Sequence, residues 1–261
     1  MDNYSNDNTG RRYKAHVSTL GTTQIHLRNP YIVAWWSVAF PGFGHLLLSK
    51  YLRGFMLVAW EVIINLKSHV NLAMVYSFQG KTALAAEVLD TRWLLIYIPV
   101  YIFAIFDSYR TAVDLNKFYV LAEREDHEFN SFSIGALEIN YLDKRIPWLA
   151  AVWSLFMPGL GQLYIHRITS ALVVVIWSVV FFYQSRFLEA IVLLFGGEIQ
   201  KATGVLNPEW LFMFPSVYGF AIYDAYINTV ENNKLYEKEQ RRFLQKNYQS
   251  KSFRLLKGRK I

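Results

Sequence analysis

Shifted by 117 positions, the chain aligns with itself. Pro30 meets Pro147, and no gap is needed from there to Tyr119 and Tyr236; 32 of the 90 aligned pairs are identical. They include Trp36/Trp153, Ser37/Ser154, Pro41/Pro158, Gly42/Gly159, Gly44/Gly161, Trp60/Trp177, Gly80/Gly197, Trp93/Trp210, Tyr101/Tyr218, Asp107/Asp224, Tyr109/Tyr226 and Lys117/Lys234. Shared apolar composition does not line up Pro, Gly, Trp and Asp together. The chain reads as a tandem duplication of one unit. The period is too long for a solenoid, whereas two homologous halves are common in membrane proteins.

The repeated unit is apolar. The runs Trp93–Phe106 and Ala171–Tyr183 carry no charge and lie between segments dense in charge, the pattern of an integral membrane protein. Aromatic residues make up 17% of the chain, which suits a protein with two membrane interfaces to anchor. There is no cysteine, so disulfides and cysteine-based metal sites are excluded. Residues 1–29 are polar, with basic residues at Arg11, Arg12, Lys14 and Arg28, and lack the apolar core of a signal peptide. They are expected to form a flexible cytoplasmic leader. The expected organisation is that leader, a membrane unit over 30–120, a charged cytoplasmic linker over 121–146, a second membrane unit over 147–236 and a basic cytoplasmic tail over 237–261. The linker is expected to be a solvated connector, helical where it continues the first unit.

Each unit has three apolar segments. The first is Tyr31–Phe40, then Pro-Gly-Phe-Gly, then His45–Leu48. The second runs from Gly54 to Phe78, copied as Ala171–Phe195, and the third from Trp93 to Val113, copied as Trp210–Val230. The last two are long enough to span about 30 Å of hydrocarbon at about 1.5 Å per residue. The first is interrupted by Pro-Gly, which favours a tight reversal. If all three segments cross, Lys and Arg divide as 18 inside and 9 outside. If the Pro-Gly segment is a re-entrant hairpin, the division is 22 and 5. The positive-inside tendency prefers the second. The fold class expected is therefore all-α and integral to the membrane: two tandem units, each a Pro-Gly broken segment plus two spanning helices, with both termini cytoplasmic. Six spans with inverted halves is the alternative.

The motif residues are Pro41, Gly42, Gly44, His45, Asp107, Ser108, Tyr109 and Arg110 in the first unit, and Pro158, Gly159, Gly161, Gln162, Tyr164, Asp224, Ala225 and Tyr226 in the second. The pattern P-G-x-G-[HQ] before an apolar helix, with a closing helix ending in D-[SA]-Y, resembles a broad set of bacterial multi-pass membrane proteins. It is similar to the small two-helix transmembrane domain with G-x-G-x-H before its last helix and an Asp near its end. Leu47 stands where the motif has Tyr, and Ile227 where it has the closing Arg. The resemblance covers about 30–116 and 147–233. It implies a bacterial cytoplasmic-membrane location and no particular activity. The string Pro-Gly-Leu-Gly-Gln-Leu-Tyr also resembles the start of some sugar-importer permeases, but the Glu-Ala-Ala loop of that group is missing.

Three groups of side chains are chemical candidates. Glu61, Asn65 and His69, with Ser68, form a polar stripe inside the second segment, where ionisable groups are expensive. The stripe is either an ion-handling face or a hydrogen-bond network inside the bundle. Its equivalents, Ser178, Phe182, Ser185 and Arg186, do not repeat it. His45 and Gln162 close the Pro-Gly turns and are expected to bond freed carbonyls. Asp107 and Asp224 are expected at the cytoplasmic ends of the third helices, Asp107 paired with Arg110, with Trp93 and Trp210 near the opposite interface. No catalytic constellation, metal-ligand set, phosphate loop or cofactor motif appears.

The expected function is non-enzymatic: a membrane-embedded structural, accessory or interaction subunit, with a small transporter, channel or transporter accessory subunit as the alternative. The expected partners are the lipid bilayer and another membrane protein, not nucleic acid. Residues 231–261 hold ten basic and three acidic residues. Interleaved Leu and Phe make Arg241–Ile261 a candidate to dock on anionic lipid or an acidic protein.

Overall fold

The computed structural model describes residues 11–250, and the chain there is mostly helical. An antiparallel hairpin, β1 (Ala15–Ser18) and β2 (Gly21–Gln24), precedes α1 (Pro30–Ala39), α2 (Phe43–Leu47), α3 (Tyr51–Ser68), α4 (Val70–Phe78), α5 (Thr82–Val88) and α6 (Thr91–Glu125). A second antiparallel hairpin, β3 (Phe132–Ile134) and β4 (Ile139–Tyr141), precedes α7 (Pro147–Phe156), α8 (Leu160–Tyr164), α9 (Ile168–Ser185), α10 (Phe187–Phe195), α11 (Ile199–Val205), α12 (Pro208–Leu211) and α13 (Phe214–Asn247). The bounds of α1 to α5 recur 117 positions later in α7 to α11.

Local chemistry explains the elements. α1 begins at Pro30, and the Asn29 side chain accepts from the Tyr31 N–H at 2.9 Å, as expected of a cap followed by proline. It ends where Pro41 cannot extend it. Phe40, Pro41, Gly42 and Phe43 form a tight turn closed by the Phe43 N–H on the Phe40 carbonyl at 3.1 Å. Gly42 takes φ 101° there, a conformation that glycine adopts at no steric cost. Gly159 takes φ 106° in the equivalent turn. Gly44 and Gly161 serve close approach instead. A Cβ on Gly44 would overlap the Ser37 hydroxyl and come within 2.5 Å of the Val33 carbonyl. The chain thus goes up through α1 and comes back through α2. Its two ends meet one level of α6: the Arg28 N–H donates to Asn116 at 2.9 Å, and Arg28, Lys50 and Asn116 line one cavity.

The second apolar segment is not one continuous helix, contrary to expectation. His69 at φ 54° and Arg186 at φ 56° end α3 and α9 and open α4 and α10. The carbonyls released by the breaks accept from the N-cap residues of α6 and α12. The Asp90 N–H reaches Ser68 O at 3.1 Å, and the Asn207 N–H reaches Ser185 O at 3.0 Å. The short helices fold over the end of the molecule around Gly80 and Gly197.

Residues 11–29 and 121–146 also differ from expectation. The first is not a loose leader and the second is not merely a solvated connector. Asn140 Nδ2 donates to Ser18 O at 2.7 Å, which ties the hairpins together. The Ile168 N–H donates to Leu20 O at 3.1 Å, so the first hairpin caps α9 of the second half. Lys14 is buried and reaches Glu123 at 2.7 Å and Asp126 at 2.9 Å.

The core lies where the halves meet. Phe43 and Phe220 stack at 4.2 Å, Trp36 lies 5.3 Å from Tyr223, and Trp210 packs 5.9 Å from Phe181. Trp210 is therefore a core residue rather than an interface anchor. α6 and α9 are long and apolar enough to cross a membrane, and the most apolar stretches of the two are only 11% and 33% buried. Leu95, Ile96, Ile98, Ile102, Phe103 and Phe106 all face outward from α6.

Candidate functional site

The Pro-Gly turns aim one polar side chain from each short helix at the third long helix of its own half. In the first half, His45 Nε2 lies 2.9 Å from Asp107 Oδ2. Arg53 donates to the same oxygen at 2.7 Å. In the second half, Gln162 Nε2 donates to Asp224 Oδ2 at 3.1 Å and to the Ala221 carbonyl at 2.9 Å. Arg167 donates to Asp224 Oδ1 at 2.9 Å, and Asn228 donates to the same oxygen at 2.7 Å. Sequence reasoning singled out both Asp residues and both turn residues, but not this pairing. The expected bonds from His45 and Gln162 to carbonyls of their own turns do not form. Asp107 does not pair with Arg110, which lies 4.0 Å from Asp114 instead. Asp107 turns toward α2 and α3, where His45 and Arg53 engage its carboxylate.

The cation reaches the equivalent carboxylate from two different positions. Arg53 aligns with Ser170, and Arg167 aligns with Lys50. The two Arg positions are one helical turn apart on the repeat, so either can reach the carboxylate. The halves differ in closure. Asp224 is 0% exposed and Arg167 3%, whereas Asp107 is 17% exposed and Arg53 54%. Arg167 also donates to the Tyr51 hydroxyl at 3.0 Å, which joins the halves. Tyr109 and Tyr226 are not part of either cluster. Tyr109 packs its ring 5.4 Å from Tyr31, and Tyr226 is exposed. Pro41, Gly42, Gly44, Pro158, Gly159 and Gly161 build the turns and bear no reactive group.

The polar stripe is a second cluster. Asn65 donates to Glu61 Oε1 at 2.6 Å, and the Tyr97 hydroxyl donates to the same oxygen at 3.1 Å. Glu61 Oε2, Asn65 Oδ1 and the Ser68 hydroxyl are buried with no hydrogen-bond partner. His69 leaves this group. Its Nδ1 lies 2.9 Å from Glu209 of the other half, because the helix break turns the side chain away from the α3 stripe.

The first cluster holds its charges in mutual pairs, whereas Glu61 in the second has no cation partner among the described residues. No family model, curated protein or solved structure matches the chain.

A third group gathers at the hairpin end. Asp126 accepts from Lys14 at 2.9 Å and from Arg242. The Lys14 hydrogen bond, then that of Arg242, holds its carboxyl well below the ordinary range. Glu123 meets Lys238, Glu128 meets Lys246 at 3.1 Å, Glu237 meets Lys144, and Arg12 pairs with Glu125. Cations of the basic tail therefore face the linker, and Arg242 and Lys246 are engaged before any lipid or acidic partner. Residues 251–261, the rest of the expected docking segment, lie outside the described residues.

Proposed function

We propose that the chain is a multi-pass membrane protein of two tandem units that acts as a non-enzymatic structural, accessory or interaction subunit. The observation that carries the reading is the outward apolar surface of α6 and α9. A water-soluble fold hides its most apolar helices, and a lipid-facing fold exposes them. α3, α6, α9 and α13 connect the two ends of the molecule, while α1–α2 and α7–α8 fold back. This supports four spans and two re-entrant hairpins. The end that carries the two β-hairpins and most of the basic residues is the cytoplasmic end in this reading. The resemblance to bacterial membrane proteins with the small two-helix domain supports the same placement. The non-enzymatic reading is supported by the pairing of Asp107 with Arg53 and of Asp224 with Arg167.

Labelling tests the threading without background, because the chain has no cysteine. A single cysteine at Lys81 is expected to react with an impermeant thiol reagent in intact cells, and one at Arg124 only after permeabilisation. Labelling at Arg124 in intact cells overturns the four-span threading.

A second reading, a small transporter or channel, is favoured by Glu61 alone, a carboxylate inside α3 with one unpartnered oxygen. It requires that Glu61→Gln abolish a proton or cation flux measurable with the reconstituted wild-type protein. Liposomes that show no flux with the wild type exclude it.

A further inference from the structure

The repeat shows what is missing from one copy. In the second half, Asp143 stands two residues before Arg145 and clamps its guanidinium at 2.8 Å. Arg145 is the repeat partner of Arg28, and the residue at the place of Asp143 is His26. Both arginines are held alike by backbone: Asn116 bonds the N–H and carbonyl of Arg28, and Asn233 those of Arg145. The second half thus supplies its own counter-anion and the first half does not.

At that place the first half has a cavity of about 230 Å3, lined by His26, Arg28, Lys50, Thr23, Ser49 and Asn116 among others. His26 is nine-tenths buried, and neither ring nitrogen has a hydrogen-bond partner. Such a side chain costs free energy unless something bonds it. Lys50 is exposed and makes no ion pair among the described residues. Arg28 makes one side-chain bond, Nη2 to Asn228 Oδ1 at 3.0 Å. The carboxylates whose fields reach Arg28, Asp224 and Glu231, are taken by Arg167 and Lys234. Burial, and then the charges of Arg28, Arg167 and Lys234, pushes the His26 imidazole down to about 2. The ring is therefore neutral, in a strongly positive field.

The neighbouring helix end is closed in the second half alone, by the N-terminal hairpin. The first N–H of α9 is taken by Leu20 O, whereas no described backbone group does so for α3, whose start borders the cavity.

We propose that this cavity binds a phosphate-bearing anion, held by Arg28 and Lys50, in the place that Asp143 fills in the other half. Paired cationic donors on a compact polyoxyanion form charge-assisted hydrogen bonds stronger than those between neutral groups. The anion has two sources, a phospholipid headgroup and free phosphate.

The test uses the full-length purified protein. Thermal unfolding is measured in inorganic phosphate against chloride at equal ionic strength, and native mass spectrometry reads co-purified phospholipid. Two variants accompany the wild type. Lys50→Gln removes a cation that the fold does not use. His26→Asp installs the clamp of the second half. A phosphate-dependent rise in Tm that weakens about tenfold in apparent affinity in Lys50→Gln and vanishes in His26→Asp supports the site with free phosphate as the source. A retained phospholipid lost in both variants supports it with lipid as the source. His26→Asp is also expected to raise the Tm without any added anion. The proposal is overturned by the absence of both phosphate response and retained lipid in the wild type, or by responses that the two variants leave unchanged.

Discussion

Asp107 and Asp224 occupy one repeat position and have different surroundings, which sets different costs for removing them. Asp224→Asn leaves the Arg167 charge fully buried without its partner, at a cost of about 3–5 kcal/mol. Asp107→Asn affects an ion pair whose arginine is more than half exposed, at a cost below about 1 kcal/mol. Thermal unfolding of the two purified variants in detergent is expected to separate them clearly, with Asp224→Asn also accumulating poorly in cells. Equal losses would show that the closure of the second cluster contributes nothing. At this scale the sequence identified the carboxylates, because Asp inside an apolar helix stands out. It did not identify Arg53 and Arg167 as their partners. The two cations are out of register by one turn, so the repeat alignment hides their equivalence.

At the scale of the element, the end of α6 depends on charge. Asp126, beyond the last turn, gathers Lys14 from the N-terminal segment and Arg242 from α13. Its folded-state pKa is depressed, so it contributes stability above the unfolded value, about 3.9. That contribution is lost as the pH falls toward the depressed folded value. Acidification from pH 7 to below about 4 is therefore expected to loosen the contact of residues 11–14 and 238–246 with the α6 end before the helices themselves open. Hydrogen exchange measured across that range checks this, since faster exchange should begin in these segments. Asp126→Asn is expected to give the same loosening at pH 7. The two β-hairpins at this end were not legible. Between 15–24 and 132–141 only Leu20 and Leu137 are identical, and strands of three or four residues are too short to carry a clear periodic signal. They pack on each other, and the first also caps the start of α9. The break at His69 was hidden for a similar reason: the apolar pattern continues through it, and only the Asp90 N–H on the Ser68 carbonyl shows why the chain turns.

For the whole molecule, the two halves share one core. Phe43 stacks on Phe220, Phe40 meets Phe181 at 6.5 Å, and His69 and Tyr51 bond across the boundary to Glu209 and Arg167. Burying an aromatic side chain contributes about 1.5–3 kcal/mol, so several across one boundary hold the halves firmly. Two chains cut between Ala136 and Leu137, at an exposed hairpin tip, are expected to co-purify when expressed together. Phe220→Ala in the second is expected to weaken that association. Independent purification of intact halves would refute the shared core. The sequence by itself determined the repeat, the helical units and the Pro-Gly reversals, because covalent geometry at proline and glycine acts locally and shows in every copy. Only the tertiary structure decided which groups pair across the units and where one copy lacks the anion that the other carries. Those outcomes depend on distances between residues far apart in the chain, and equivalent positions acquire different neighbours once two like halves pack against each other.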